Sequence, residues 1–360
     1  MDEITIDAKK FKSQRTIVNL SLALCALLKL NLRIINLNKS TINSNIISTI
    51  MELKFATSAY AEGAILNSNS IYFSPTKAFK TKKINLMLTQ GEPIYGALQQ
   101  LWIPLFFSKT KTNVLISGAT QTSEYPSYNY IREIYFCYFK KFTNDATLKL
   151  TSIGFEEKNN GEIELKVDSK SDIQSSPLQL NYHKQIINIK LIITLTKDLM
   201  NKNFSNLILD LFKLSFPGIT ISILSNYAEN KTSNLSVDAF VFFGENNSFD
   251  NVFPLIKGSS ILLGEDIVAS PSQLQQTILT FIEALKSKVN KDGIDALVTN
   301  DLIPVLGLIG GEIIVQEVTK EHKEIIKLTQ ELLNVKIKVL GNKINCVKPY
   351  NQQIPSIEDI

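Results

Sequence analysis

Residues 128–168 read YNYIREIYFCYFKKFTNDATLKLTSIGFEEKNNGEIELKVD, one helix followed by one hairpin. In Tyr128–Phe142 the spacing sets Ile131, Ile134, Tyr135 and Tyr138 on a single helical face. Ala146–Phe155 and Glu162–Asp168 read as strands on either side of the turn Lys158-Asn159-Asn160-Gly161. Ile163, Leu165 and Val167 alternate with the period of a half-buried strand, and Asn and Gly are the residues a tight hairpin tolerates. The same succession occurs twice more. Ser44–Ser58 leads to Tyr60–Leu66, the turn Asn67-Ser68-Asn69 and Ser70–Ser74, stopped by Pro75. Glu321–Leu333 leads to Val335–Leu340, the turn Gly341-Asn342 and Lys343–Lys348, stopped by Pro349.

A strand–helix pair precedes each copy. Ile4–Asp7 leads to Thr16–Lys29, Ile84–Thr89 to Pro93–Phe106, and Ile261–Leu263 to Ser272–Ser287, which opens at Ser270-Pro271 with an N-cap signature. A further helix, Asp292–Ile309, belongs to the last unit. Between the second and third units the spacing breaks. The strand Gln185–Thr194, the helix Lys197–Leu214 and the strands Gly218–Leu224 and Val237–Phe243 form a βαββ module of their own. The expected class is therefore α/β (α+β), three repeated βαβαββ-type units with a small inserted module. Residues 1–184 hold units one and two, 185–258 the insert, 259–350 unit three, and 351–360 a polar tail.

Apolar residues make 44% and charged residues 20% of 360, a globular composition. Only 15 are glycine, well below the roughly 7% that is usual, which counts against Gly-rich phosphate loops. Lys and Arg exceed Asp and Glu by 38 to 34, so a polyanionic partner is permitted without being demanded. Cys25, Cys137 and Cys346 form no CxxC pair and fit reduced thiols of a cytosolic or nuclear protein. The longest apolar run, Leu20–Leu30, contains Ser21, Cys25 and Lys29 and is short of the about 20 residues a bilayer requires. Asp2 and Glu3 ahead of it do not fit a signal peptide, so a soluble intracellular chain without membrane contact is expected.

The two histidines and three scattered cysteines make no zinc set, and no cofactor is expected. His183, in Asn181-Tyr182-His183-Lys184, reads as solvated. His322, beside Glu321 and near Glu324, reads by default as a surface residue satisfying helix-end donors. The Gly310-Gly311 pair reads as a helix C-cap. Basic residues cluster more pointedly. Lys9, Lys10, Lys12 and Arg15 lead into the first long helix, where an anion would meet both their charge and the helix dipole. Lys77, Lys80, Lys82 and Lys83, with Lys109, Lys111, Lys140 and Lys141, add further positive charge; solvated loop lysines are the plain alternative.

Three repeated units with a module inserted between the second and third resemble the RNA 3′-terminal phosphate cyclase fold, over nearly the whole chain. Ile6-Asp7 stands where that family has an Ile-Asp-Gly strand end, and Asn36–Asn45 where it has an Arg/Pro/Gly-rich segment. Ser117-Gly118-Ala119-Thr120 is similar to its Gly-Gly-Thr, Asn129-Tyr130-Ile131 to its Asp-Tyr-Leu helix, and Asn160–Leu165 to its Gly-Gly-Glu-Val hairpin. Active members carry a glycine-rich loop with a glutamate after the first strand; Asp7–Gln14 here has no glycine and places lysine near the glutamate position. Asn43-Ser44-Asn45 and its neighbours replace the expected arginine and Pro-Gly-Leu, and Gln90-Gly91-Glu92-Pro93-Ile94 replaces Gly-Thr-Ala-Gly-Ser. Lysine and proline in place of glycine remove the close backbone approach that ATP phosphates use.

The segment Glu92–Gly96 continuing through Ile103–Lys111 is similar to Lys-Pro-Val-Gly-Tyr … Ala-Pro-Phe-Ser-Lys-Lys-Lys of the eukaryotic nucleolar branch. That resemblance implies a small-subunit ribosome biogenesis factor in the nucleus and nucleolus. Its partners would be a large nucleolar GTPase of the small-subunit processome and pre-ribosomal RNA, with a role in pre-18S rRNA processing. It also implies a non-catalytic protein, with Lys9, Lys10, Lys12 and Arg15 as the RNA or anion site and no metal. The alternative is an active, ATP-dependent cyclase. His322 stands close to the nucleotide-accepting histidine of active members, and Glu331-Leu332-Leu333 follows at a spacing like their Glu-x-Phe-Leu. The related enolpyruvyl transferases fit less well, having more repeats than 360 residues with one inserted module accommodate.

Overall fold

The computed structural model describes residues 3–156, 160–169, 178–179, 185–229, 232–244 and 255–347. The expectations for His183, for the Lys158-Asn159 part of the second turn and for the tail 351–360 fall outside these residues.

The chain opens with strand β1 (Glu3–Asp7), helix α1 (Gln14–Leu28), β2 (Asn31–Ile35), α2 (Ser44–Thr57), β3 (Tyr60–Glu62) and β4 (Ile71–Ser74). The first sheet runs β1-β2-β4-β3, with β1 and β2 parallel and the rest antiparallel. The second unit repeats this plan. Strand β5 (Lys83–Met87), α3 (Ile94–Phe107), β6 (Lys111–Gly118), β7 (Thr143–Ser152) and β8 (Gly161–Ser169) give the order β5-β6-β8-β7. Between β6 and β7 lies a helical run over 128–142, which is α-helical at Tyr128–Tyr130, π-helical at Ile131–Tyr135 and α-helical again at Phe136–Phe139. The alternation read from Ile163, Leu165 and Val167 is a fully buried face of β8.

Unit three has the same sheet, but its first strand differs from expectation. Strand β9 (Leu178–Gln179) pairs in parallel with β14 (Gly311–Ile314), which pairs with β16 (Lys343–Val347), and that with β15 (Lys336–Leu340). The opening strand thus precedes the insert in sequence and is only two residues long. Its helix is α6 (Ala296–Ile309), and α7 (Lys320–Leu333) leads into the hairpin.

The residues expected to open unit three belong to the insert instead. Strand β10 (Ile186–Thr196), α4 (Phe204–Ser215), β11 (Thr220–Ala228), β12 (Leu235–Phe243) and β13 (Leu255–Leu263) form a sheet in the order β11-β10-β12-β13. Helix α5 (Pro271–Asn290) packs on α4 and β13. The expected boundary at 258 cuts β13, whose nine residues all pair with β12.

Helices α1, α3 and α6 hold the three units together. Twelve of the 15 residues of α1, 13 of 14 in α3 and 12 of 14 in α6 are buried. A helix apolar all round can only be stable when neighbours cover every face. Leu20–Leu27 of the longest apolar run is therefore core, with Leu28, Lys29 and Leu30 half-buried at its end. Trp102 of α3 stacks on Phe139 at 5.2 Å and fixes the helical run to the same core. The insert docks on unit two through a buried carboxylate. Asp238 accepts from Ser127 Oγ (2.6 Å), Asn129 Nδ2 (2.8 Å) and Ser260 Oγ (2.5 Å), which satisfies a group whose burial raises its pKa. Among the described residues no helix is long and apolar enough to cross a membrane.

Candidate anion-binding site

The loop after β1 folds as a short 3-10 turn over Ala8–Lys10. Asp7 caps it, accepting from the Lys9 amide at 3.1 Å and from Asn36 Nδ2 at 3.0 Å. The bond from Asn36 and then that from Lys9 hold the Asp7 carboxyl below its usual range. Buried Gln14 ties the loop to the next segment: Nε2 donates to Ala8 O, and Oε1 accepts from the Asn38 amide (2.8 Å) and Thr41 Oγ1 (3.1 Å).

Ser13, the N-cap of α1, makes no capping bond with its own side chain. An anion from another unit serves instead. The Glu324 carboxylate of α7 accepts from the Lys12 amide at 3.0 and 3.1 Å and from the Ser13 amide at 3.0 Å. One turn earlier on α7, Glu321 accepts from Thr16 Oγ1 at 2.8 Å. Two carboxylates three residues apart thus meet the positive end of α1 from one helix face.

A narrow cleft opens where the first turns of α1, α2 and α3 converge. Arg15 of α1, Asn43 and Asn45 of α2, Glu92 and Pro93 before α3, and Tyr125 are among its lining. Arg15 Nη1 donates to Tyr125 OH at 3.0 Å. Asn43 caps α2 through the Ile46 amide and reaches Glu92 Oε1 at 3.4 Å. Three nearly buried side chains of the lining keep a polar atom without a partner: Asn45 Nδ2, which can donate to an anion, and Asn19 Oδ1 and Gln100 Oε1, which only accept and call for a donor such as water or a hydroxyl. Such atoms cost free energy unless a ligand or water meets them. Three helix N-termini and a guanidinium face one small space, and Glu92 is the only carboxylate in its lining.

Of the expected site residues, Arg15 lines this cleft, whereas Lys9, Lys10 and Lys12 are exposed on the loop leading to it. The sequence reading missed Asn19, Asn45, Gln100 and Tyr125. Gly91, in the loop before α3, adopts φ +82°, and a Cβ there would collide with Glu156 O, so this position demands glycine even though the loop departs from the family pattern.

His322 is not on the surface. It is 1% exposed and completes a capping box at the start of α7. Its Nδ1 accepts from the Thr319 amide at 3.2 Å, its own amide donates to Thr319 Oγ1 at 3.1 Å, and Nε2 lies 2.9 Å from Ala296 O. With Nδ1 an acceptor, the proton resides on Nε2 and points at that carbonyl. Desolvation lowers its pKa, so the ring is neutral near pH 7. The helix-end role holds and the exposure does not; burial arises because α7 packs on α6.

Behind the cleft runs a buried polar chain. Tyr95 OH donates to Asp301 Oδ2 at 2.8 Å and receives Gln99 Nε2 (3.0 Å), whose Oε1 accepts from Asn19 Nδ2. Tyr135 OH lies 3.2 Å from Tyr95 OH. Burial pushes the Asp301 carboxyl up to about 7, and the Glu321 charge adds to this. The chain crosses from α1 through α3 to α6. Among the described residues no group of three or more His, Cys, Asp or Glu is placed to hold a metal ion. The Gly310-Gly311 pair closes α6, with the Gly310 amide bonded to Leu306 O at 2.9 Å.

A family model described as RNA 3′-terminal phosphate cyclase matches residues 14–339. Proteins named RNA 3′-terminal phosphate cyclase are similar to this chain. The one from Pyrococcus abyssi is 27% identical over 165 residues, covering 45% of this chain and 48% of the relative. That from Pyrobaculum neutrophilum is 24% identical over 163 residues, covering 44% and 47%. That from Saccharolobus islandicus strain M.16.4 is 22% identical over 344 residues, covering 94% and 97%. The chain thus spans about half the length of the first two relatives and nearly all of the third. These comparisons correct the expectation of a protein that is not an enzyme: the relatives are archaeal proteins named for an enzymatic activity, one of them matched along almost its full length.

Proposed function

Because the chain belongs to the RNA 3′-terminal phosphate cyclase family, we propose that it acts on RNA 3′ ends, holding the terminal phosphate at the mouth of the cleft beside Arg15 and closing it onto the neighbouring 2′-hydroxyl. The observation that carries this reading is the convergence of three helix N-termini and one guanidinium on a space where the donor Asn45 Nδ2 is without a partner. A phosphomonoester carries close to two negative charges near neutral pH, and the positive ends of helices together with an arginine guanidinium are suited to it. Cyclisation forms a bond from the 2′-oxygen to phosphorus and expels another oxygen substituent. An unactivated phosphate oxygen is a poor leaving group, so a nucleoside triphosphate that first activates the terminal phosphate, and whose nucleotide then departs, is the expected co-substrate. An RNA oligonucleotide ending in a 3′-phosphate, incubated with the chain and ATP as its magnesium salt, should become resistant to phosphatase at that end. A terminus that stays fully sensitive contradicts the reading.

A second reading rests on the similarity of Glu92–Lys111 to the nucleolar branch. In it the same cleft meets pre-ribosomal RNA in the nucleolus, with a large GTPase of the small-subunit processome as partner. Most of that segment is buried in α3, which leaves Glu92, Pro93, Ser108, Lys109 and Lys111 among its more accessible residues. Affinity purification of the tagged chain from its own cells tests this reading: a large GTPase and pre-18S RNA should co-purify, and recovery of neither overturns it.

A further inference from the structure

Each sheet of this molecule has two edges, and the described edges are guarded in different ways. Strand β1 carries Glu3 paired with Arg33, and β3 is three residues long. Strand β5 carries Lys83. Strand β7 carries Asp145 and Lys149, and its ladder shifts register at both ends. Strand β15 carries Lys336 and Lys338, and β9 is two residues long. Strand β13 carries Lys257 and has α5 packed beside it. Charge, brevity and bulges are the usual means of stopping a free edge from pairing with another chain.

Strand β11 has none of them. Its nine residues, TISILSNYA, include no charge and no proline, and its ladder with β10 runs from Thr220 to Ala228 without a register shift. Ile223, Leu224 and Tyr227 are exposed on it. Among the described residues β10 is its only strand neighbour, so the backbone groups along its outer edge face away from the sheet.

We propose that β11 is the interface between two copies of this chain, paired antiparallel about a twofold axis at Leu224. Three observations favour a second copy as the occupant. In this register Ile221 lies opposite Tyr227 of the second copy, an aromatic–β-branched pair of the kind that stabilises sheets. No like charges come opposite one another, because the strand is neutral and Glu229 at its end meets Ile219 of the second copy. The third concerns the two ends of the strand. Leu214, 80% exposed, lies six residues before β11 begins, and the far end of β11 borders a groove lined by Leu150, Ile153, Lys197, Tyr227, Ala228 and Glu229. Antiparallel pairing about a twofold axis sets these unlike ends of the two copies side by side, twice over.

Sedimentation velocity of the full chain over a concentration series tests this. The wild-type chain should show a species of twice the chain mass. Leu224→Lys sets two ammonium groups face to face on the axis and should halve that mass with the thermal melting curve unchanged. Asn226→Lys, on the same strand, should do the same if Leu224→Lys fails to fold. A wild-type chain that is monomeric throughout overturns the proposal, and so does a dimer that survives the substitutions.

Discussion

The two helices whose first turns touch each other, α1 and α7, solve the same problem in opposite ways. Helix α7 satisfies its own end: Thr319 and His322 exchange backbone and side-chain bonds within one turn. Helix α1 has no such box, and its amides at Lys12 and Ser13 bond Glu324, some 311 residues away. A self-capped end is fixed by its local sequence. A borrowed cap depends on how two units dock, and it leaves the positive end of α1 held by a group that an arriving anion can oppose. The difference teaches that the charged face of this protein is a property of the assembled units.

The largest expected effect concerns the buried carboxyl behind both helices. Asp301 has a folded pKa of about 7 against an ordinary value near 3.8, so the native state holds its proton where the unfolded state has lost it. Stability should therefore fall as pH rises from about 4 to 7, by at most roughly 1.4 kcal/mol per pH unit. Urea denaturation of Asp301→Asn between pH 5 and 8 should show this slope removed; an unchanged slope places the dependence elsewhere. His322 has the reverse sign. Its pKa is lowered by burial, so its contribution is present above the ordinary value of 6.5 and lost as pH falls through the folded value.

Next in size is the contrast between caps. Glu324→Ala strips the α1 end of its anion and should cost about 1 kcal/mol, within the range of a lost helix cap. Glu324→Gln keeps an acceptor and should cost less. His322→Ala removes the box of α7 and leaves a cavity, and should cost more than either. Chemical denaturation of the three variants orders them, and equal losses would break the comparison. The smallest effect belongs to the exposed lysines. Reversing Lys9, Lys10 and Lys12 together should weaken RNA binding severalfold at low salt and hardly at all at high salt, since exposed charges are screened.

Much of the fold is legible in the sequence because hairpins announce themselves locally. Alternation at Ile163, Leu165 and Val167 and turns such as Gly341-Asn342 specify the strand pairs that close each unit. The opening strand of unit three does not announce itself, because two residues, Leu178 and Gln179, have no period to read and their partner lies beyond the insert. A signal for its helix existed. Trp102-Ile103-Pro104-Leu105 in α3 and Leu302-Ile303-Pro304-Val305 in α6 share an Ile-Pro pair inside a helix, which marks α6 as the counterpart of α3. The charge of Arg15 was readable, and its place in the cleft was not, since that depends on α2 and α3 arriving beside it. Asn19 and Gln100 are polar residues within apolar helical runs, a signature that could have been followed to the same cleft.

Binding of a short RNA with a 3′-phosphate, compared with the same RNA ending in a 3′-hydroxyl, tests the central claim most directly. The cleft should prefer the phosphate, and Arg15→Ala should abolish the preference with a loss of about tenfold or more, since a charge-assisted hydrogen bond contributes roughly 1.5–3 kcal/mol. Equal affinity for the two termini, or a preference that survives Arg15→Ala, would contradict the account.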